Sequence, residues 1–295
     1  MAGTLRERIS GLRQSAKKTR AYSTYRNSML YDTVRRRGKV LKRAIKLPRY
    51  LGNEFQCPVC GVGLRAFRPM QRSYWRDVAK FSPIHSAQSM ETFNVAAFSC
   101  PCCDAFDRDR LTAIYLDRTF AGFDRNRSYR LLEFAPGDAL YKKLKQYPFI
   151  AYRSADLTRK DVDECVDLTD MGGYADGSVD VLLCSHVLEH VPEDRKAMRE
   201  ICRVLKPDGF GVILVPLVPG MDQTHEDASI IDEALRWKYF GMGDHIRQYG
   251  KRDFIGRLEA AGLNVDQLGI EYFGAEAFRR AGIAENSVLY VVRPH

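Results

Sequence analysis

Between Tyr129 and Ala139 the chain reads YRLLEFAPGDA, an apolar run of strand length that enters a Pro-Gly turn and leaves it as a helix. Leu131 and Leu132 belong to the strand, Glu133 lies at its carboxyl end, and Asp138 is placed to cap a helix over 139–146. The alternation continues downstream. Strands are predicted at 149–153, 165–168, 179–185 and 209–216, with a helix over 193–205. After a break come a helix over 252–261 and strands near 265–273 and 287–292, the last two joined by a short connection into an antiparallel hairpin at one edge. Such a pattern folds as an α/β protein, with a doubly wound, mostly parallel sheet and helices on both faces.

A chain of 295 residues, 45% of them hydrophobic, can supply one sizeable domain and a smaller module. Its segments divide as a basic helical arm over 1–50, a cysteine-bearing module over 51–110 and the α/β domain over 111–295. No apolar run approaches the length that spans a bilayer, and none of signal-peptide type follows the basic start, so a cytoplasmic protein is expected. The net charge of +9 is unevenly spread. Residues 1–50 hold 15 Lys/Arg against Glu7 and Asp32, a net of +13, while the rest has 31 basic and 35 acidic residues, a net of −4. Two apolar stripes run through the arm, Leu5, Ile9 and Leu12, then Leu30, Val34, Leu41 and Ile45. Flanked by arginines and lysines, the second suits an anionic membrane surface at the inner face, RNA phosphates, or a partner protein.

Five of the eight cysteines fall in two clusters, Cys57-Pro-Val-Cys60 and Cys100-Pro-Cys102-Cys103. Each C-x-x-C turn lets two thiolates reach one ion, and two such knuckles complete a tetrahedral site. The expectation is a small zinc ribbon built on Cys57, Cys60, Cys100 and Cys103, with Cys102 surplus. Residues 65–98 form an excursion between the knuckles. Four protein ligands leave no open position, so this zinc would be structural. Cys165, Cys184 and Cys202 read as small core residues.

In a doubly wound sheet the ligand sits outside the carboxyl ends of the strands. Glu133, Asp156 and Asp167 fall at predicted strand ends, and Asp156 follows Glu133 at close to the spacing expected of a carboxylate that holds ribose hydroxyls. The loop Ala135-Pro136-Gly137-Asp138-Ala139 lacks the glycines that let backbone approach a pyrophosphate and carries an acid where phosphate would go. The cofactor is therefore expected to be a nucleoside without phosphates, preferably cationic.

The stretches LLEFAPGDAL, RSADLT and DGSVDVLLCSHVLEHVPEDRKAMREICRVLKPDGFGVILVP together resemble the successive motifs of class I S-adenosylmethionine-dependent methyltransferases of the common small-molecule type. The run 187–209 is the most specific, and the resemblance covers about 105–295. CPVCG and CPCCDAFDRDR resemble the zinc ribbon of a bacterial subgroup, in which stretches like THED (224–227) and FGMGDHIRQYG (240–250) also occur. The resemblance implies a Rossmann-like, seven-stranded methyltransferase sheet with S-adenosylmethionine as cofactor. Glu133, Ala135 and Gly137 would line its methionine part and Asp156 its ribose. Asp167 and Leu168 would flank the adenine; Ser185 and His186 would face the sulfonium and the acceptor. Ala135 and Ala139 stand where the family has glycine, and a Cβ at Ala135 narrows the loop and disfavours positive φ.

Methyl transfer is an in-line displacement, so alignment dominates, and a hydroxyl acceptor also needs a base. His245, oriented by Asp244, is the expected base, with Arg247 and Tyr249 binding the acceptor and Thr224, His225 and Glu226 as a second substrate cluster. Glu189 and His190 read as packing features at a helix start, and Leu188, Met198, Ile201, Val204 and Leu205 as core. The leading function is methyl transfer to a small-molecule or glycan hydroxyl. An RNA methyltransferase that grips phosphates through ribbon and arm, and a non-catalytic adaptor of the same fold, are the alternatives.

Overall fold

The computed structural model describes residues 45–295. The stripes expected of the basic arm, and the membrane or RNA partner they imply, fall almost wholly outside the described residues.

The cysteine-bearing segment opens with a two-stranded antiparallel ribbon, β1 (Leu51–Gln56) and β2 (Gly63–Leu64). The first knuckle closes where Gly61 N–H donates to the Cys57 carbonyl, and the second where Asp104 N–H donates to that of Cys100. The excursion between them carries α1 (Arg72–Phe81) and a short 3-10 turn, Ala87–Ser89. α2 (Asp107–Ala121) follows. This segment and the sheet share one core, in which Cys57, Leu64, Phe67 and Cys100 join Leu111, Phe278 and Ile283. Arg110 is the fastener. Fully buried, it donates to the carbonyls of Ala105, Ala281 and Gly282 and lies 3.9 Å over the Phe67 ring.

Beyond α2 the alternation appears as read: β3 (Tyr129–Phe134), α3 (Asp138–Leu144), β4 (Ile150–Asp156), β5 (Glu164–Cys165), β6 (Val179–Ser185), α4 (Asp194–Val204) and β7 (Leu205–Leu214). There follow β8 (Leu217–Val218), β9 (His225–Glu226), α5 (Glu233–Phe240), β10 (Arg247–Gly250), α6 (Lys251–Ala260), β11 (Leu263–Leu268), α7 (Ile270–Phe273), α8 (Ala275–Ala281) and β12 (Leu289–Pro294). The main sheet has seven strands in the order β11-β12-β7-β6-β3-β4-β5. All neighbours pair in parallel except β12, which is antiparallel to both β7 and β11. The doubly wound, mostly parallel fold is thus the one expected, and β6, covered on both faces, is buried through its first six residues. Leu188, Met198, Ile201, Val204 and Leu205 are core, as read.

The differences are local. Asp138 is the first residue of α3 and not its cap; Gly137 holds the cap position. The last two strands pair as an antiparallel edge, but α7 and α8 fill their connection, because Gly269 and Gly274 end the strand pattern and Phe278 supplies a new buried face. Cys184 is core and Cys202 half-buried, whereas Cys165 is exposed because β5 ends the sheet.

A small second sheet positions the site. β10 pairs in parallel with β8, just past the end of β7, and antiparallel with β9. The stretches 224–227 and 240–250 are thereby drawn to the carboxyl edge of the main sheet. Among the described residues no helix is long and apolar enough to cross a membrane.

Candidate active site

The strand order reverses at β3, whose neighbours are β4 on one side and β6 on the other. Outside the carboxyl ends of β3 and β6 lies a cavity of about 170 Å³, walled by Glu133, Ala135, Gly137, Leu183 and Ser185 and, from α2, by Arg108, Asp109 and Thr112. Ala135 takes φ +49, the left-handed conformation that its Cβ disfavours. Glu133 accepts a hydrogen bond from the Tyr152 hydroxyl at 2.6 Å, yet burial pushes its carboxyl up to about 8. Burial raises Asp109 as well. Glu133 and Asp109 offer two carboxyls to this cavity and Arg108 a guanidinium, a lining that suits a zwitterionic guest. The buried Ser185 hydroxyl has no hydrogen-bond partner among the described residues.

Asp156 closes β4 beside this cavity, and its Oδ1 accepts from the N–H groups of Thr158 and Arg159, both at 2.8 Å. The Arg159 guanidinium in turn donates to the Pro136 carbonyl at 2.7 Å and steadies the loop after β3. Asp167 accepts from the backbone and hydroxyl of Thr169, and Leu168 beside it is buried.

A second cavity of about 270 Å³ meets the first at Arg108, which lines both. Ser185 lies on one side of this divide and His186, the next residue, on the other. The outer wall comes from the excursion between the knuckles: Met70, Tyr74, Met90, Phe93 and Phe98. Tyr74 is fixed by the bond its hydroxyl accepts from Ala87 N–H, and α1 is held against α5 by the stacking of Phe81 on Trp237. The inner wall is polar, with His186 and His245.

Behind those two rings lies Glu189, 1% exposed, with neither oxygen accepting a well-formed hydrogen bond among the described residues. His186, held at φ +56, brings Nδ1 to 3.3 Å from Glu189 Oε1 without the alignment of a hydrogen bond. His245 brings Nε2 to 3.9 Å from the same oxygen, while its Nδ1 lies 3.0 Å from the Phe240 carbonyl. Burial lowers His186 to about 4 and also lowers His245, so both rings are neutral near pH 7. His190 completes the cluster, its ring edge-on to that of His245 with centroids 4.9 Å apart.

Several expectations are corrected. The carboxylate facing His245 is Glu189 and not Asp244, whose side chain is 73% exposed and approaches His190 instead. Tyr249 is fully buried and donates to Asp194 at 2.6 Å, out of reach of the cavity. Arg247 is likewise buried; it pairs with Glu226 and donates to the carbonyls of Leu188, Val191 and Pro192. Arg257 bridges the exposed Glu226 and the buried Asp194, so one ion network, open to solvent at Glu226, clamps the turn bearing Glu189 and His190. Thr224 accepts from Gly250 N–H, and His225 packs on Tyr239 and Phe240. None of the five expected acceptor-binding residues lines this cavity, whereas Glu226 and Arg247 line a separate, more open one of about 680 Å³ beside α4. Arg108 and Asp109, which line the smaller cavity, and the excursion aromatics of the larger one were not singled out from sequence. The signal for the first two, the charged run after the second knuckle, was present but read only as part of the ribbon.

The four cysteines do converge. The Sγ atoms of Cys57 and Cys103 lie 3.7 Å apart, those of Cys60 and Cys100 3.8 Å, and all four within 4.8 Å of one another. Sulfurs at about 2.3 Å from one tetrahedral zinc stand about 3.8 Å apart, so the quartet fits that ion. Cys102 lies outside it and donates its backbone N–H to Cys100 Sγ.

Residues 146–213 match the family model described as Methyltransferase domain. Over 53 residues the chain is 43% identical to a protein called an uncharacterized methyltransferase in Mycobacterium sp. (strain KMS), a match that covers 18% of this chain and 21% of that protein. The aligned part thus spans about a fifth of that relative's length. Among solved structures, a SAM dependent methyltransferase from Archaeoglobus fulgidus superposes with a TM-score of 0.40 at 13% identity, covering 62% of this chain and 92% of the other. The YcgJ protein of Bacillus subtilis gives 0.38 at 16% identity, covering 62% and 98%.

Proposed function

We propose that the protein is an S-adenosylmethionine-dependent methyltransferase acting on the hydroxyl of a small molecule with an apolar body. The observation that carries this reading is the junction of the two cavities, with Arg108 lining both and the consecutive residues Ser185 and His186 facing opposite sides. A methyl donor in one and an acceptor in the other would meet in line at that divide.

S-adenosylmethionine, when bound, supplies a methyl group on a cationic sulfur. In the smaller cavity Glu133 and Asp109 are suited to its ammonium and Arg108 to its carboxylate. Asp156 is assigned to the ribose, and Asp167 and Leu168 to the flanks of the adenine. Ala135 and Gly137 form the floor. In the larger cavity Met70, Met90 and Phe93 exclude water and favour an apolar or ring-bearing acceptor over an extended glycan. The polar wall receives the hydroxyl, and the neutral rings of His186 and His245, backed by Glu189, are suited to take its proton. The cysteine quartet would hold a structural zinc that fixes both ends of the excursion and therefore the acceptor wall.

Calorimetric titration of the zinc-replete protein with S-adenosylmethionine and S-adenosylhomocysteine tests the reading. Micromolar binding, about −8 kcal/mol, that disappears in Asp156→Ala supports it. Well-folded protein that binds neither would end it in favour of a non-catalytic adaptor.

A further inference from the structure

Resting on the reading of the larger cavity as an acceptor site, we infer that Glu189, His190 and His245 form a second metal site, holding one first-row divalent cation at the polar end of that cavity. One donor atom from each of the three lies within 4.8 Å of the others. Donors that share an ion at about 2.1 Å stand about 3–4 Å apart, so small side-chain rotations bring all three onto it. Two imidazoles and one carboxylate leave further positions open, and this donor set suits first-row divalent ions.

The placement of protons supports the assignment. A carbonyl oxygen only accepts, so the Nδ1 of His245, 3.0 Å from the Phe240 carbonyl, carries its ring hydrogen and leaves Nε2 bare. That bare nitrogen faces Glu189 Oε1 at 3.9 Å. His190 repeats the arrangement, its Nδ1 lying 3.1 Å from the Asp244 carbonyl. Metal-bound imidazoles are oriented in this way, the second nitrogen donating to a backbone carbonyl. Independently, Glu189 is a buried carboxylate whose two oxygens lack hydrogen-bond partners among the described residues. A bare nitrogen opposite a bare carboxylate oxygen is repulsive, and a cation between them reverses the sign.

The site is also held in advance. Ile246 N–H donates to the Glu189 carbonyl, and Arg247 donates to those of Leu188, Val191 and Pro192. The turn carrying Glu189 and His190 is thus tied to the strand that follows His245. Because His245 lines the acceptor cavity, the open positions would face the acceptor. The acceptor hydroxyl would reach the ion through its oxygen and give its proton to the His186 ring, which lines the same cavity. The oxygen lone pair forms the new C–O bond while the C–S pair stays on sulfur, which leaves as a neutral thioether. His245 then serves as a ligand, and the ion makes the hydroxyl acidic.

The test is a Co²⁺ titration of the full-length protein with its thiolate site filled by zinc. The expected result is one equivalent of Co²⁺ whose visible bands lack thiolate charge transfer. Glu189→Gln, which keeps the side-chain shape, and His190→Ala, at a partly exposed position, should each weaken it at least roughly 10-fold. Uptake unchanged in both variants overturns the site, as does Co²⁺ that enters only with thiolate bands. The two readings separate cleanly. Methyl transfer by protein that takes up no such Co²⁺ overturns the metal site alone, whereas Co²⁺ uptake by protein that binds no S-adenosylmethionine overturns the methyltransferase reading alone.

Discussion

The Nε2 nitrogen of His245 faces the Oε1 oxygen of Glu189 across 3.9 Å behind the polar wall of a cavity whose outer side is lined by Met70, Met90, Tyr74, Phe93 and Phe98. On the proposed reading both residues act on the acceptor, and neither lines the smaller cavity. His245→Ala should therefore lower turnover at least roughly 10²-fold while calorimetric affinity for S-adenosylmethionine stays the same. Full turnover in that variant would remove the pair from the chemistry.

Ala135 holds φ +49 in the loop that lines the smaller cavity, the proposed cofactor site. A non-glycine residue in that conformation costs about 1–2 kcal/mol, partly offset because glycine loosens the unfolded chain. Ala135→Gly should raise Tm by about 2–4 °C and tighten cofactor binding several-fold by widening the loop. A drop in both would mean that the alanine methyl makes contacts the site depends on.

The pH dependence follows from Glu133. Its carboxyl, raised by burial to about 8 in the folded protein, is protonated at pH 7 until a cation arrives. The folded state then holds a proton that the unfolded chain gives up near pH 4.5. This contribution to stability is complete below pH 4.5 and is lost as pH rises through 8. Binding of an ammonium group needs the carboxylate, so S-adenosylmethionine affinity should rise between pH 6 and 8, with a proton released on binding. Calorimetry in buffers of different ionisation enthalpy reads that proton, and Glu133→Gln should abolish both effects.

The thiol quartet stands at both ends of the excursion whose Met70, Met90, Phe93 and Phe98 wall the larger cavity, the proposed acceptor site. Cys100→Ser should cost one equivalent of zinc by elemental analysis. KM for the acceptor should rise more than Kd for the cofactor, whose cavity rests mainly on β3, β6 and α2. Equal loss of both would indicate collapse of the shared core.

Arg247 is buried in an ion network with Glu226 and Asp194. Arg247→Ala leaves the carbonyls of Leu188, Val191 and Pro192 without their donor, while Arg257 still pairs with both carboxylates, and should cost about 1–3 kcal/mol, read as a lower urea midpoint. A variant of full stability with impaired acceptor binding would restore the role expected from sequence.

The residues with a local signature were the legible ones. The period of the apolar runs around Leu131, Val181 and Val212 gave a parallel sheet, because a strand buried on both faces must be apolar throughout. Glu133 and Gly137 were readable because a strand, a turn and a helix start are adjacent in sequence. Cys57, Cys60, Cys100 and Cys103 declared themselves by pairwise spacing. The acceptor side had no such mark. His190 meets the Asp244 carbonyl across 54 residues of chain, and Met90 and Phe93 reach His186 and His245 only because the excursion folds over the sheet edge. The sequence alone thus determined the sheet, the strand-turn-helix that follows Leu131 and Leu132, and the thiol quartet. Tertiary structure decided that Glu189 and not Asp244 faces His245, that the buried Arg247 and Tyr249 belong to one polar network, and that the excursion walls the larger cavity. Those outcomes depend on burial and on contacts between distant segments, which no local pattern encodes.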